Sequence, residues 1–259
     1  MDETTQPALF IGHGNPMNAI ESNGYSEAWR ALGASLPRPR AVLSISAHWY
    51  VRATMVTAMD SPRTIHDFGG FPAELFAVQY PAPGSPTLAG EVHDLLRPVT
   101  VGLDESWGLD HGTWSVLVHM FPEADVPVVQ LSIDRSKPPS FHYALGEALA
   151  PLSDAGVLIV GSGNVVHNLE TYAWGGHPAE PFDWAVRFED WVRRHLDAGD
   201  HGPLVDYEQM GPDARLSAPT PDHYLPLLYA IGAGRGRSVS YPVTGIEGGS
   251  ISMLAVRLD

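Results

Sequence analysis

The sequence predicts a single-domain, three-layer α/β/α fold with a mixed, largely parallel sheet that spans residues 1–259. Short apolar runs bounded by Gly and Pro are typical of buried strands, and here they alternate with amphipathic, helix-like stretches. With 259 residues, of which 44% are hydrophobic and 17% charged, the chain has the length and composition of one large domain with a substantial core.

Four apolar runs predict the strands in chain order: ALFIG (8–12), AVLSIS (41–46), PVVQLSI (127–133) and GVLIVG (156–161). Five amphipathic stretches predict the helices: 26–36, 86–97, 113–121, 141–152 and 183–196. The runs RSVSYPVTG (237–245) and SISMLAVRLD (250–259) predict two closing strands that pair antiparallel. Residues 61–86 show little periodicity, so we expect a long loop there, a kind of segment that often has a function.

Composition excludes several classes of function. A formal net charge of −15 argues against a nucleic-acid partner and against binding to an anionic membrane surface. The chain has no Cys, so histidine, carboxylate or carbonyl groups must hold any metal. It shows neither a signal-peptide pattern nor a long apolar run, which predicts a cytoplasmic protein. The run GSGNVV lacks the third Gly of a dinucleotide-binding loop.

Twelve histidines are a high number for this length, and their positions are informative. His13, His48 and His167 follow three different predicted strands, and ligands of open α/β sheets bind beyond the carboxyl ends of the strands. Converging imidazoles suit Fe, Zn, Cu or Ni. A single His after a strand is more often a hydrogen-bonded polar residue than a metal ligand. Because three histidines occur in similar positions, the residues alone favour the two interpretations about equally.

The other histidines fall into three groups. His66, His111 and His223 each lie next to an Asp, which either caps a helix or turn or orients a pocket histidine. The histidines within helical patterns are interpreted as packing or surface residues: His93, His119, His142 and His195. Two in loops rich in Gly or Pro are interpreted as solvated: His177 and His201.

Seven segments together resemble one known family over nearly the whole chain: PALFIGHGNPMNAI, SISAHW, PRTIHDFGGFP, LDHGTWSVL, PVVQLSID, GSGNVVHN and TPDHYLPLLYA. They are similar to the DOPA extradiol dioxygenase branch of the class III extradiol ring-cleaving dioxygenases. The resemblance implies one catalytic domain with an α/β/α fold, a mononuclear non-haem site for Fe(II), and zinc as a metal found after purification. The implied substrates are a small-molecule catechol, DOPA-like, and O2.

The resemblance also implies roles for individual residues. His13, His48 and His223 match the metal ligands, with His223 in the position that other branches fill with a glutamate. His167 matches the acid/base histidine, which this branch also counts among its metal-binding histidines. His111 matches a second catalytic histidine of the pocket.

Neighbouring residues suggest further contacts to the substrate. From the adjacent glycines of HDFGGFP, we expect a flexible segment whose His66 or Asp67 contacts the ring substituent of the substrate. Four aromatic residues either wall the ring or pack in the core: Trp49, Phe68, Trp114 and Tyr224. Two alternatives remain open: a zinc hydrolase with His167 as base, and a non-enzymatic metal-binding protein of the same fold.

Overall fold

The computed structural model describes residues 5–175 and 179–259. Within these residues, one eight-stranded sheet organises the fold, in the order β4-β3-β5-β2-β6-β1-β10-β7, and a separate two-stranded ribbon is formed by β8 and β9. The strands are β1 Ala8–Gly12, β2 Ala41–Val51, β3 Thr54–Thr57, β4 Val101–Asp104, β5 Val128–Asp134, β6 Val157–Gly163, β7 Val239–Val243, β8 Ile246–Glu247, β9 Ile251–Ser252 and β10 Ala255–Leu258.

The sheet is mixed, as predicted. The central strands β5, β2, β6 and β1 run parallel to one another. At one edge β10 pairs antiparallel with both β1 and β7, which confirms the predicted pairing of the two closing strands. At the other edge β3 pairs antiparallel with β5 and parallel with β4.

Helices cover both faces of the sheet. They are α1 Gly24–Ser35, α2 Ala73–Phe76, α3 Pro86–Leu95, α4 His111–Met120, α5 Pro139–Leu149, α6 Pro151–Asp154, α7 Asp183–Asp197, α8 His201–Val205, α9 Pro212–Ser217 and α10 Leu225–Ala233, with 3₁₀ turns at Pro16–Ala19 and Tyr207–Met210. Side chains alternate along each strand, so Ala8 and Phe10 pack into one core while Leu9 and Ile11 pack into the other. Two cores flanking one sheet confirm the three-layer α/β/α prediction.

Strand β2 differs from the prediction in length. It continues to Val51, five residues beyond the predicted end, so His48 lies within the strand and not after it. Its pairing with β5 is interrupted between Ile45 and Tyr50, and the Ser46 hydroxyl accepts the backbone N–H of His48 at 3.2 Å within this interruption. The irregularity bends the end of the strand and lets His48 face the site.

Two strands and one longer helix are among the elements that were not predicted. Strands β3 and β4 have only four residues each, too few for a clear alternation of apolar and polar positions. Helix α10 is buried along its whole length, so its sequence LPLLYAIGA lacks the polar face that marks an amphipathic helix. Burial on every side therefore removed the signal.

The long segment 61–86 contains only the single helical turn α2, and most of it forms the predicted loop. The expectation for His201 was wrong, because this residue begins α8 and its Nδ1 lies 3.0 Å from the Tyr143 hydroxyl. His177 lies outside the described residues. Within them, no helix combines the length and the apolar character that crossing a membrane would require.

Candidate active site

His13 follows β1 and is buried at the centre of the sheet. Its backbone N–H donates to the Gly163 carbonyl of β6 at 3.1 Å, which fixes the chain after the strand. Its Nδ1 lies 3.0 Å from the Ser162 hydroxyl, and that hydroxyl donates to the Gly112 carbonyl at 2.5 Å. The Ser162 oxygen is then the acceptor for an Nδ1–H, so Nε2 of His13 is left unprotonated and free to bind a metal.

His48 and His223 have the same arrangement with carboxylates in place of the hydroxyl. Nδ1 of His48 lies 3.2 Å from an Asp67 oxygen, and Nδ1 of His223 lies 2.5 Å from an Asp222 oxygen. Each carboxylate favours an Nδ1–H tautomer and leaves Nε2 with its lone pair. Burial would raise the pKa of Asp222, but the hydrogen bond and charge of His223, together with further hydrogen bonds from Thr220 and the backbone, outweigh it and hold that pKa well below its usual value.

The backbone of His223 is held against β6 by a glycine. The Asn164 N–H donates to the His223 carbonyl at 2.9 Å, and a Cβ added at Gly163 would lie only 2.1 Å from that carbonyl oxygen. Only a residue without a side chain allows this approach. The third histidine therefore reaches the sheet from a distant part of the chain.

The three imidazoles form a group that fits one metal ion. One ring nitrogen of each of His13, His48 and His223 lies within 4.8 Å of the others, and Nε2 of His13 is 3.2 Å from Nε2 of His48. Two nitrogens that bind the same metal ion at about 2.1 Å lie roughly 3 Å from each other. Nε2 of His223 is buried and has no hydrogen-bond partner in the described structure, which a metal would supply.

Burial also prepares these rings electrostatically. Burial, and after it the nearby His223, lowers the pKa of His13 well below its usual value. Burial, followed by His111 and His223, does the same to the pKa of His48. Both imidazoles are therefore neutral at pH 7, the form that binds a metal.

His111 is the first residue of α4, where Asp110 caps the helix by accepting the Thr113 N–H at 3.2 Å. The imidazole of His111 packs against that of His48, with ring centroids 3.9 Å apart, and its Nδ1 lies 3.0 Å from Asp67. Burial and the charge of Asp67 raise the pKa of Asp110 to about 6. His111 is therefore next to the group formed by His13, His48 and His223, and it faces the same carboxylate as His48.

His167 lies beyond β6, and its ring stacks parallel on that of His223, with centroids 3.5 Å apart. Among the described residues it belongs to neither of the two groups of potential metal ligands, which are His13, His48 and His223, and His48, Asp67 and His111. Burial and the neighbouring His223 lower the pKa of His167 well below its usual value. The structure thus places the neutral imidazole of His167 beside the three histidines of the proposed metal site. Whether His167 acts as a ligand or as an acid/base group stays a prediction.

All five histidines face one cavity of about 200 Å³. Its remaining wall is mainly apolar and aromatic, formed by Gly14, Asn15, Pro16, Phe68, Phe71, Leu169, Tyr172, Trp174 and Ile251. Of the four predicted aromatic neighbours only Phe68 lines it. The other three are core residues with at most 3% of their surface exposed: Trp49, Trp114 and Tyr224.

The two residues expected to contact substrate lie behind this wall. His66 Nε2 is 2.9 Å from the Val78 carbonyl, and its ring packs against Trp114. Asp67 accepts the backbone N–H of His111 at 2.9 Å in addition to facing the two imidazoles. Burial would raise the pKa of Asp67, but its contacts with His111 outweigh this and lower it. The geometry therefore favours a supporting role for both, and substrate contact stays a prediction.

The comparisons with known proteins agree with this site. Residues 8–249 match the family described as the catalytic LigB subunit of aromatic ring-opening dioxygenase. A 4,5-DOPA dioxygenase extradiol from Escherichia coli K12 is 52% identical and covers 100% of this chain and 96% of its own length. Its namesake from Beta vulgaris is 41% identical over 90% of this chain and 88% of its own.

A solved structure shows the same fold. The crystal structure of an uncharacterized protein from Escherichia coli K12 has a TM-score of 0.86, is 49% identical, and covers 98% of this chain and 100% of its own. The protein described here is a metal-dependent α/β enzyme that acts on a small aromatic substrate with O2. The chain belongs to the LigB family of aromatic ring-opening dioxygenases.

Several site residues escaped the sequence analysis. Ser162 behind His13 carries no signal, because a Ser within a buried strand is common. Asp222 was noticed only as the neighbour of a histidine, and Asp67 was expected to contact the substrate. The dipeptides Asp-His and His-Asp gave no sign of which imidazole each carboxylate would face. Leu169 and Trp174 lie in a stretch without periodicity and become visible only when the fold brings them to the cavity.

Proposed function

We propose that this protein is an Fe(II) dioxygenase that opens the ring of a 4-substituted catechol beside its two hydroxyl groups. The observation that carries the proposal is the group of three imidazoles whose ring nitrogens converge at one wall of an aromatic cavity. The relatives named 4,5-DOPA dioxygenase extradiol support a catechol with an extended substituent, of which DOPA is an example. Zinc is the metal we expect to compete for three imidazole ligands during purification.

His13, His48 and His223 would hold the metal. Three protein ligands on one side leave room for both catechol oxygens and for O2, whereas a fourth ligand would fill one of those places. When bound, the metal supplies a Lewis-acidic, redox-active centre at which catechol and O2 meet. Burial keeps the imidazoles of His13 and His48 neutral, and Ser162 and two carboxylates orient all three rings.

His167 and His111 are the groups placed to move protons. A catechol loses its phenolic protons on binding, and a neutral imidazole within the cavity can accept one and return it during ring opening. The lowered pKa of His167 leaves its ring neutral at pH 7. Asp67 faces Nδ1 of His111, which turns the Nε2 lone pair of that ring away from the carboxylate. Both histidines line the cavity.

The aromatic wall would position the ring and exclude water. Phe68 lies edge-on to His111, with centroids 5.4 Å apart, and edge-on to Phe71 at 5.4 Å. A flat catechol ring between such groups gains apolar contact area without needing a polar partner. Water exclusion strengthens the interactions of the charged catechol oxygens with the metal site.

Isotope labelling tests the reaction directly. The purified protein is stripped of metal, loaded with Fe(II) without oxygen, and mixed with 4-methylcatechol under ¹⁸O₂. We expect one product that contains both labelled atoms, one in a carboxylate and one in an aldehyde, as extradiol cleavage requires. Two carboxylates would indicate cleavage between the hydroxyl groups, and recovery of unchanged, unlabelled 4-methylcatechol would indicate that the iron-loaded protein is not a dioxygenase; either result contradicts the proposal.

A further inference from the structure

The first turn of α4 is connected to three of the cavity histidines. His111 begins the helix and lines the cavity. The next residue, Gly112, packs against β2, where an added Cβ would lie only 2.9 Å from Cδ2 of His48. The Gly112 carbonyl accepts the hydroxyl of Ser162, the residue that faces Nδ1 of His13. A shift of this turn would therefore move His111 and disturb the contacts behind two proposed metal ligands.

Asp110 joins this turn to β2. It is fully buried, and one of its carboxylate oxygens accepts the Thr113 N–H at 3.2 Å, which caps the helix. The carboxylate is also hydrogen-bonded to the Ser46 side chain. Ser46 in turn accepts the backbone N–H of His48 at 3.2 Å. One carboxylate thus links the start of α4 to the interruption of β2 that turns His48 toward the site.

Gln130 of β5 holds the same carboxylate from the other side. Its side-chain amide N–H donates to Asp110, and its amide oxygen accepts the Thr113 hydroxyl at 3.0 Å and the Asp110 backbone N–H at 3.4 Å. Its own backbone N–H donates to the Thr57 hydroxyl at 2.8 Å. Reversing the amide would place its N–H groups against two other donors, so the side chain has a single favourable orientation.

Burial makes this network sensitive to small displacements. Burial, and after it the charge of Asp67, raises the pKa of Asp110, whereas the hydrogen bonds from Ser46 and Gln130 act in the opposite direction. A buried carboxylate is favourable only where hydrogen bonds satisfy it. Any shift of the turn would leave buried donors or acceptors without partners, so the network favours one position of α4 over its neighbours.

We propose that Gln130 and Asp110 are positioning residues of the ring-opening reaction: they hold the first turn of α4, and with it His111, in the place from which its imidazole reaches the bound catechol. This inference rests on the proposed function, because it concerns the placement of a proton-transfer group of that reaction. Both are described residues that lie outside the cavity lining, so they act through His111 and touch neither substrate nor metal.

Gln130→Met tests the role of the amide, because it keeps the length of the side chain and removes its hydrogen bonds. In the Fe(II)-loaded protein it should lower kcat for 4-methylcatechol about 10–100-fold, since displacing a reacting group by about 1 Å has effects of this size. KM should change less than about threefold, because Gln130 does not touch the substrate. An unchanged kcat, or a KM that rises as much as kcat falls, would overturn the inference.

The metal affinity of the same variant shows which histidine is affected. The Kd for Zn²⁺ should change less than about threefold, because Asp67 still holds the imidazole of the ligand His48. A loss of zinc affinity as large as the loss of kcat would show that the metal ligands have moved and would overturn the assignment to His111.

A reciprocal exchange separates hydrogen bonding from charge. Asp110→Asn places a donor against the amide N–H of Gln130 and should lower kcat about as much as Gln130→Met does. In Asp110→Asn/Gln130→Glu the new carboxylate accepts the asparagine N–H and the Thr113 hydroxyl, so the bonds are rebuilt with the charge on β5. The double variant should recover kcat to within about fivefold of the original protein. Recovery of stability without recovery of kcat would contradict a positioning role.

Histidine-ring NMR spectra of the zinc-loaded protein give a readout that needs no turnover. The ¹H–¹⁵N signals of His111, assigned by their absence from His111→Gln, should shift in Gln130→Met and return in the double variant. Signals that stay in place in Gln130→Met would overturn the inference. If Gln130→Met does not fold, Thr113→Val takes its place, because it removes the hydroxyl that Gln130 accepts; an unchanged His111 signal there would overturn the inference equally.

Ser85→Ala is the matched control for a loss of stability. Ser85 caps α3 as Asp110 caps α4, since its hydroxyl accepts the Leu88 N–H at 3.2 Å. This variant should lower the urea midpoint and leave kcat unchanged. An equal loss of kcat in Ser85→Ala would show that general destabilisation is the cause and would overturn the inference. If the unsubstituted Fe(II) protein cleaves no catechol, the proposed function fails; if it cleaves catechol and Gln130→Met does so equally well, only the present inference fails.

Discussion

Nδ1 of His111 and Nδ1 of His48 face the same carboxylate, that of Asp67, at 3.0 Å and 3.2 Å. One residue of the loop 61–86 thus orients both a proposed metal ligand and a proposed proton-transfer group. Asp67 also accepts the His111 backbone N–H, so the start of α4 and the end of β2 are joined through it. The loop therefore supports the site even where it does not line the cavity.

Replacing Asp67 by Asn should weaken metal binding by roughly 10–100-fold, the usual effect of losing a partner behind a metal ligand. The amide has the same size but can present an N–H to a ring that needs an acceptor. Competition with a chelator measures the Kd for Zn²⁺. Asp94→Asn, on the surface beside Arg97, is the control and should leave this Kd unchanged.

The same variant separates the two roles considered for Asp67. A residue that contacts the ring substituent would change the ratio of KM between 4-methylcatechol and catechol. A residue that orients the histidines would lower kcat and metal affinity and leave that ratio alone. We expect the second pattern. A changed KM ratio with normal metal affinity would instead support a contact between Asp67 and the ring substituent.

Single substitutions should divide the histidines by role. His223→Ala should lose metal affinity, since it removes one of three converging ligands. His167→Ala should keep most of its metal and still bind catechol, yet lose about 10²–10⁴-fold in turnover, the usual contribution of a positioned acid/base group. Metal content of both purified variants decides between the roles: a metal-free His167→Ala together with a loaded His223→Ala would reverse them.

Gly163 should be indispensable for the position of His223. In Gly163→Ala the new methyl group would meet the His223 carbonyl at 2.1 Å, and we expect a loss of roughly 1–3 kcal/mol in the free energy of unfolding and weaker metal binding. Gly90→Ala in α3 is the control, because no atom lies within 4 Å of its added Cβ; it should stabilise the protein by about 0.5–1 kcal/mol. Urea unfolding measures both. Equal effects would contradict the proposed contact.

The folded protein should become less stable as the pH is lowered, because of a buried histidine far from the site. His142 is fully buried, with Nδ1 2.9 Å from the Tyr229 hydroxyl, and burial lowers its pKa to about 4. Between pH 6.5 and 4 the unfolded chain binds a proton that the folded protein does not, so the folded state loses stability as the pH falls. The shift corresponds to about 3 kcal/mol at most. In His142→Gln this decline, measured by urea unfolding at pH 7 and pH 4.5, should be smaller; an unchanged decline would contradict the assignment.

Local patterns predicted the central strands, the flanking helices and the histidines at their ends, because each of these leaves a mark within a few residues of sequence. His48 shows where this reasoning stops: the strand continues past it, and only the broken pairing with β5 turns it toward the site. Helix α10 was missed because complete burial erased its periodicity. Ser162 contacts residues at least 50 positions away in the sequence, and Asp67 contacts residues at least 19 positions away. No local pattern encodes such pairs.

Oxygen uptake by the same protein loaded with Fe(II) or with Zn²⁺ tests the central claim most directly. With catechol or 4-methylcatechol, the iron form should consume one O2 per catechol at a rate well above that of the zinc form, and His223→Ala should lose this activity. Zinc has no redox chemistry and cannot support the reaction. Equal rates with the two metals, or no oxygen uptake by a fully iron-loaded protein, would contradict the assignment of this chain as an iron-dependent ring-opening dioxygenase.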